Sequence, residues 1–291
     1  MAWVNYHTHS HYCDGKAEPE AYLVKAIEKG FPACGYSSHA PVPFDTKWNM
    51  KQERLPTYLE EIRRLREKYR GKIQVYTGLE VDYIGGLWGF HHPFFNNLKL
   101  DYTIGSVHFM DALSEGIPWT IDGSSEEFFR GFESAFQQDV RKLVTRYYEL
   151  VREMVLKDSP TIIGHLDKIK MHNRHRIFLN EEEGWYRDCI EDTLDLIAAK
   201  GSIVEVNTRG TYRYDQPDLY PGRWILERIY RKKIPVMINA DAHLPEEIDS
   251  GHVFAAGILQ DIGFGSLRIL WNNQWIDCAF TSTGVNIEDK A

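Results

Sequence analysis

Seven short apolar runs recur along the chain: Trp3 to Tyr6, Ala33 to Ser37, Ile73 to Leu79, Tyr102 to Val107, Thr161 to Gly164, Ser202 to Val206 and Pro235 to Ile238. Each has the length of a buried strand. Between several of them lie segments with apolar residues at three- and four-residue spacing, Glu18 to Lys29, Leu55 to Lys68, Glu126 to Leu156, Glu182 to Lys200 and Trp224 to Lys232, which predict helices. Repeated βα units with buried strands pair in parallel, in an open doubly wound sheet or a closed barrel. Seven units fit the barrel better, so the expected fold is α/β, a distorted (β/α)7 barrel. Leu267 to Phe280, with Asn272-Asn273 between two apolar runs, predicts a hairpin appended at about 265–282 that seals the barrel edge. No repeat, low-complexity tract or linker interrupts the pattern, and residues 1–291 are read as one domain.

Composition narrows the function. A formal net charge of -8 disfavours non-specific binding to a nucleic-acid backbone, which draws its free energy from clustered Lys and Arg. The expected partner is a small molecule, neither nucleic acid nor membrane, and the oligomeric state is open. No stretch of eighteen apolar residues occurs, and MAWVNYHTHS has polar residues where a signal peptide needs its apolar region, so the expected location is the cytoplasm. Cys13, Cys34, Cys189 and Cys278 are far apart, form no C-x-x-C pair and are read as reduced thiols.

Nearly every predicted strand ends in a metal-capable side chain: His7 and His9, His39, Glu80, His108, His165, and Asp241 with His243. In a parallel barrel the carboxyl ends of all strands converge on one face, so these residues share a pocket. His7 with His9, and Asp241 with His243, stand at i and i+2 of a strand and point the same way. Imidazole together with carboxylate suits zinc, manganese or iron; magnesium and calcium prefer oxygen. With Asp14 added, nine candidate ligands exceed one tetrahedral site and suffice for two or three divalent ions. One His-x-His on a strand is common, and only its coincidence with the other strand ends gives it weight. His11, His91, His92, His172, His175 and His252 fall mostly in predicted loops or helices and are read as solvated or locally hydrogen bonded.

YHTHSHYCDG, SSHAP, GLEVDY, GSVHF, GHLD and NADAH resemble the successive motifs of the polymerase-and-histidinol-phosphatase (PHP) superfamily, over nearly the whole chain. GSVHF followed by PWTIDG is most similar to the histidinol-phosphate phosphatases of histidine biosynthesis. The resemblance implies three ions: His7, His9, Glu80 and Asp241 at the first, Glu80, His108 and His165 at the second, and Asp14, His39 and His243 at the third. It implies hydrolysis of L-histidinol phosphate to L-histidinol and phosphate, by a hydroxide shared between two ions. Asp241 and His243 are candidates for protonating the leaving alkoxide, a role the residues leave open. Arg209, at the end of the sixth strand, is a candidate for holding phosphate oxygens, against the alternative that it pairs with a carboxylate. Asn207 is a candidate for orienting substrate, and Lys168 and Lys170 are weaker phosphate candidates, since lysines after a strand are usually solvated. Aromatics in Gly85 to Asn97 and Trp119 to Phe129 line the mouth or pack on the barrel. Competing readings are another small phosphomonoester, a nucleotide phosphodiester, a metal-dependent amidohydrolase, or a metal-binding domain without turnover.

Overall fold

A strand buried on both faces must be covered by helices, and the apolar runs are arranged in that way. The computed structural model describes residues 1–112, 118–214 and 218–287. In chain order the strands are β1 (Ala33–Tyr36), β2 (Gln74–Asp82), β3 (Tyr102–Ser106), β4 (Phe109–Ala112), β5 (Pro118–Thr120), β6 (Ile162–Ile163), β7 (Ile203–Asn207), β8 (Val236–Asn239), β9 (Ser266–Trp271), β10 (Gln274–Thr281) and β11 (Gly284–Val285). The helices are α1 (Pro19–Glu28), α2 (Leu55–Lys68), α3 (Ser125–Phe136), α4 (Val140–Lys157), α5 (Gly184–Lys200), α6 (Arg209–Arg213), α7 (Arg223–Arg231) and α8 (His252–Ile262).

Six strands form a curled parallel sheet in the order β1-β2-β3-β6-β7-β8. The first apolar run, expected as a regular strand from Trp3 to Tyr6, is instead an irregular segment that bridges the two sheet edges, pairing Asn5 with Cys34 and Thr8 with Ala242, both in parallel. Gly35 N–H donates to Asn5 O at 2.8 Å on one side, and Ala242 N–H to His7 O at 3.1 Å on the other. Side-chain amides replace the missing ladder bonds: Asn239 Oδ1 accepts from Tyr6 N at 2.8 Å, and Asn5 Oδ1 from Ala240 N at 2.7 Å. The segment thereby closes the ring, and His7 and His9 stand between the ends of β1 and β8. The phenol of Tyr102 lies across the neighbouring strands, where a Cβ at Gly35 or Gly78 would come within 2.4 or 2.5 Å of it. Glycine at those two positions lets the strands close.

The single helix expected over Glu126 to Leu156 is two helices. Gln137 and Gln138 adopt left-handed φ of 52° and 61°, which ends α3, and the Asp139 carboxylate then caps α4 by accepting from Lys142 N at 3.0 Å. The apolar spacing continues through the break because both helices pack on the same core. β4 and β5 form a short antiparallel pair after β3 that sequence periodicity did not show. Its return, with Ile121 N donating to His108 O at 2.9 Å, lays Asp122 beside the ends of the barrel strands. β9 and β10 form a hairpin turned by Asn272 and Asn273, both left-handed, and it packs near the start of β2 through Gln74 to Asn272 at 2.7 Å. Among the described residues no helix is long and apolar enough to cross a membrane.

Candidate metal centre and active site

The local chain path explains why the candidate ligands reach one place. Glu80 lies within β2, and His39 pairs with it across the parallel bridge between their segments. Asp14 returns to the barrel through a tight turn. A Cβ at Gly15 would stand 2.4 Å from Ser10 N, so only glycine permits the close approach. Asp241 sits in left-handed backbone at φ 54°, a conformation that costs a non-glycine residue energy and turns its carboxylate back over the barrel mouth.

All nine candidates meet on the floor of a cavity of about 220 Å³, or immediately beneath it. Ligand atoms of His9, Asp14, His39 and His243 lie within 4.8 Å of one another, as do those of His7, His9 and Asp241, and of His39, Glu80 and His108. His165 Nε2 is 2.9 Å from Glu80 Oε1 and 3.1 Å from His108 Nε2. Glu80 is central: its Oε2 is 3.2 Å from His7, 3.4 Å from His9 and 3.1 Å from His39. These neighbourhoods overlap more than a strict division into three ligand sets, with His9 and His39 each belonging to two.

Whether such a cluster fits metal ions can be tested on its unpaired atoms. His7 Nε2, His9 Nε2, Asp14 Oδ1, His39 Nδ1, His165 Nδ1 and Asp241 Oδ1 are buried without a hydrogen-bond partner. Buried polar atoms are ordinarily satisfied, and a site built to hold an ion is one established reason for an exception. The donor set, neutral imidazole with carboxylate, suits divalent transition metals. The residues therefore fit. Each of two imidazoles is also oriented by a buried carboxylate on its far nitrogen: Glu205 Oε1 lies 2.6 Å from His7 Nδ1, and Asp82 Oδ1 lies 2.7 Å from His108 Nδ1.

The protonation pattern follows from crowding. Burial and the neighbouring His243 and His39 push His9 down to about 3. Burial opposes charge on His108 as well, but Asp82 and Glu80 outweigh it and raise its pKa to about 9. Burial disfavours ionised Glu80, yet His39, His7 and His108 hold it well below the usual carboxylate range. Asp241 is likewise held well below that range, against burial, by His7 and Arg209. Ionised carboxylates are what ion binding requires. Glu205, Asp82 and Asp122 add three negative charges to those of Asp14, Glu80 and Asp241, and Lys168, Arg209 and Arg213 add three positive ones. These additions cancel, so three divalent ions would leave about +3 facing a phosphate.

Of the residues expected to touch substrate, Arg209 and Lys168 line the cavity and Asn207 is buried. Arg209 Nη1 donates to Asp241 O and to His243 Nδ1, each at 2.8 Å. His243 Nδ1 also lies 3.0 Å from Asp241 O, and its Nε2 is 3.1 Å from Asp14 Oδ2. Asn207, expected to orient substrate, is 1% exposed and donates to Glu205 Oε2 and Asp241 Oδ2, so it orients carboxylates instead. Lys168 and Lys170, expected to be solvated, are buried: Lys168 Nζ is 3.2 Å from Asp122, and Lys170 Nζ is 3.0 Å from Asp167 and 2.9 Å from Asp218. Of the histidines given no ligand role, His91 pairs with Asp158, His92 caps a turn at Phe94 and His11 faces Glu18. His252, expected in solvent or a local bond, is fully buried. The side chain of His175 lies outside the described residues.

Sequence reasoning missed Glu205, Asp82 and Asp122. The available signal for Glu205 was a lone acid inside the apolar run IVEV, since carboxylates are seldom fully buried unless paired.

The profile of the PHP domain family matches residues 5–209. The chain is 28% identical over 260 residues to a Deinococcus radiodurans protein named probable histidinol-phosphatase, covering 88% of this chain and 92% of that one. It is 27% identical over 265 residues to a Bacillus subtilis protein named histidinol-phosphatase, covering 86% and 96%. Its fold matches the crystal structure of a Lactococcus lactis histidinol phosphate phosphatase complexed with Zn, L-histidinol and phosphate, with a TM-score of 0.68, 18% identity and 98% of each chain covered.

Proposed function

The chain belongs to the PHP domain family, and on that premise we propose that it is a metal-dependent phosphomonoesterase that hydrolyses L-histidinol phosphate to L-histidinol and phosphate. One observation carries the chemistry: buried, unpartnered imidazole and carboxylate atoms gathered around Glu80 at the barrel mouth. The substrate is supported by the histidinol-phosphatase names of relatives aligned over most of both chains.

We assign His7, His9, Glu80 and Asp241 to a first ion, Glu80, His108 and His165 to a second, and Asp14, His39 and His243 to a third, with zinc, manganese or iron as the metal. When bound, divalent ions supply Lewis-acid charge at the phosphoryl group and acidify water toward neutral pH. The chain's own contribution is positioning. Lys168 and Arg209 add fixed positive charge beside the cluster, where phosphate oxygens collect. Glu205 and Asp82 hold two rings with their Nε2 lone pairs toward the cavity. Asp241 is ionised and His243 is assigned to an ion, and these two remain the candidates beside the departing alkoxide. Cys13, Cys34 and Cys189 are free thiols, which supports a reducing compartment, and we place the protein in the cytoplasm.

The test is phosphate release from L-histidinol phosphate, compared with a panel of phosphomonoesters and a dinucleotide, after reconstitution with each metal. A strong preference for L-histidinol phosphate, lost with chelator and in His7→Ala, is expected. Turnover of the dinucleotide or of a different monoester alone overturns the substrate, and bound metal without turnover overturns the enzyme assignment.

A further inference from the structure

Metal ligands and cationic groups account for nearly every charge around the cavity, with one exception. Lys168, Arg209 and Arg213 are of the sign a phosphate attracts, and the ligand carboxylates are engaged with the cluster. Asp122 is neither. Its carboxylate lines the same cavity, with the side chain 30% exposed, and lies 3.2 Å from Lys168 Nζ and 3.8 Å from His108 Nε2. A fixed negative charge there repels the phosphate that the rest of the site draws in. Lys168 alone does not explain it, because pairing that lysine weakens its pull on the same phosphate.

The conflict disappears if the substrate brings a cation close to its phosphate. In the phosphate ester of a 2-amino alcohol two carbons separate the ester oxygen from an ammonium, so the nitrogen stands within a few ångströms of the phosphoryl group. Asp122 and Lys168 then present adjacent opposite charges to a substrate with adjacent opposite charges. We propose that Asp122 is a specificity-determining residue that binds the ammonium group of the substrate and selects phosphate esters of 2-amino alcohols over uncharged esters of the same shape. This rests on the phosphomonoesterase reading above and deepens it. The ammonium, not the imidazole, is the partner, because an alkylammonium stays protonated through neutral pH whereas imidazole loses its proton near its ordinary pKa of about 6.5.

The experiment compares L-histidinol phosphate with the des-amino ester 3-(imidazol-4-yl)propyl phosphate, using the metal-loaded wild-type protein, Asp122→Asn and Asp122→Glu. Losing one partner of a desolvated charge pair commonly costs a factor on the order of 10². Asp122→Asn is therefore expected to lower kcat/KM on the amine-bearing ester by about that factor and to leave the des-amino ester within a few-fold. Asp122→Glu is expected to keep most of the preference, and metal content by mass spectrometry is expected to match wild type. An equal loss on both esters, or loss of metal with the carboxylate, overturns the proposal and makes Asp122 part of the phosphate or metal machinery. So does a loss in Asp122→Asn that is shared by both esters and fades as pH rises through about 6.5, which would assign the carboxylate to the imidazolium that both esters carry. If wild type cleaves other monoesters but not L-histidinol phosphate, the substrate reading fails separately, and 2-aminoethyl phosphate against ethyl phosphate then decides the role of Asp122.

Discussion

Replacing Glu205 by Gln removes one charge at constant shape, and its consequence can be worked out bond by bond. Oε1 of Glu205 accepts from His7 Nδ1 at 2.6 Å and Asn239 Nδ2 at 3.0 Å; Oε2 accepts from His165 N and Asn207 Nδ2, each at 3.0 Å. All four partners donate, so the amide nitrogen of Gln must face two of them whichever way it turns. Leaving buried donors unsatisfied costs about 1–3 kcal/mol each, and removing one partner of a buried ion pair costs about 3–5 kcal/mol in total. Burial opposes a charged His7, but Glu205, Asp241 and Glu80 hold its pKa well above the ordinary value, so the second figure applies to the chelated protein near neutral pH. Glu205→Gln should lower its unfolding free energy by about 4 kcal/mol, measured by urea denaturation with EDTA present. Metal affinity should also fall, by about 10–100-fold, because His7 loses the carboxylate that orients its ring and raises its basicity. Zinc titration followed by calorimetry reads this second effect. A variant with wild-type stability and wild-type zinc affinity would refute the reasoning and make Glu205 a spectator.

Three other expectations follow from separate parts of the molecule. His252 is fully buried against Trp3, and desolvation lowers its pKa from the model-peptide value of 6.5 to about 4. The unfolded chain takes up this proton first, so the contribution of His252 is complete above pH 6.5 and is lost as pH falls toward 4, by about 3 kcal/mol. In His252→Gln the decline of stability over that interval, read from urea midpoints at successive pH values, should be shallower by about this amount; parallel curves would count against it. Gln137→Gly should raise the melting free energy by up to about 1 kcal/mol, because glycine adopts the left-handed φ of 52° without steric cost; a lower melting temperature would show that the side chain matters more than the turn. Gly15→Ala should lower metal stoichiometry while leaving the fold by circular dichroism intact, since a methyl 2.4 Å from Ser10 N must displace the turn that delivers Asp14; full ion content in that variant would contradict the geometry.

The chemistry was legible in the sequence because a parallel barrel turns linear position into shared location. A residue at the carboxyl end of any strand reaches the same mouth, so reading strand ends was enough to collect His7, His9, His39, Glu80, His108, His165, Asp241 and His243 without knowing any distance. The βα alternation was readable for the same local reason, since buried strands and amphipathic helices differ in apolar period. What tertiary structure decided depends on pairs far apart in the chain, for which periodicity carries no signal. The His7 ring is oriented by Glu205, 198 positions away, and the first strand became irregular because Asn5 and Asn239 exchange side-chain hydrogen bonds for ladder bonds. The break at Gln137 lies in two backbone torsions that leave the apolar spacing of α3 and α4 intact. In the sequence Lys168 was only a weaker phosphate candidate and Asp122 had no assigned role; a loop and a short hairpin bring them 3.2 Å apart at the cavity, and burial, unlike residue type, belongs to the folded chain.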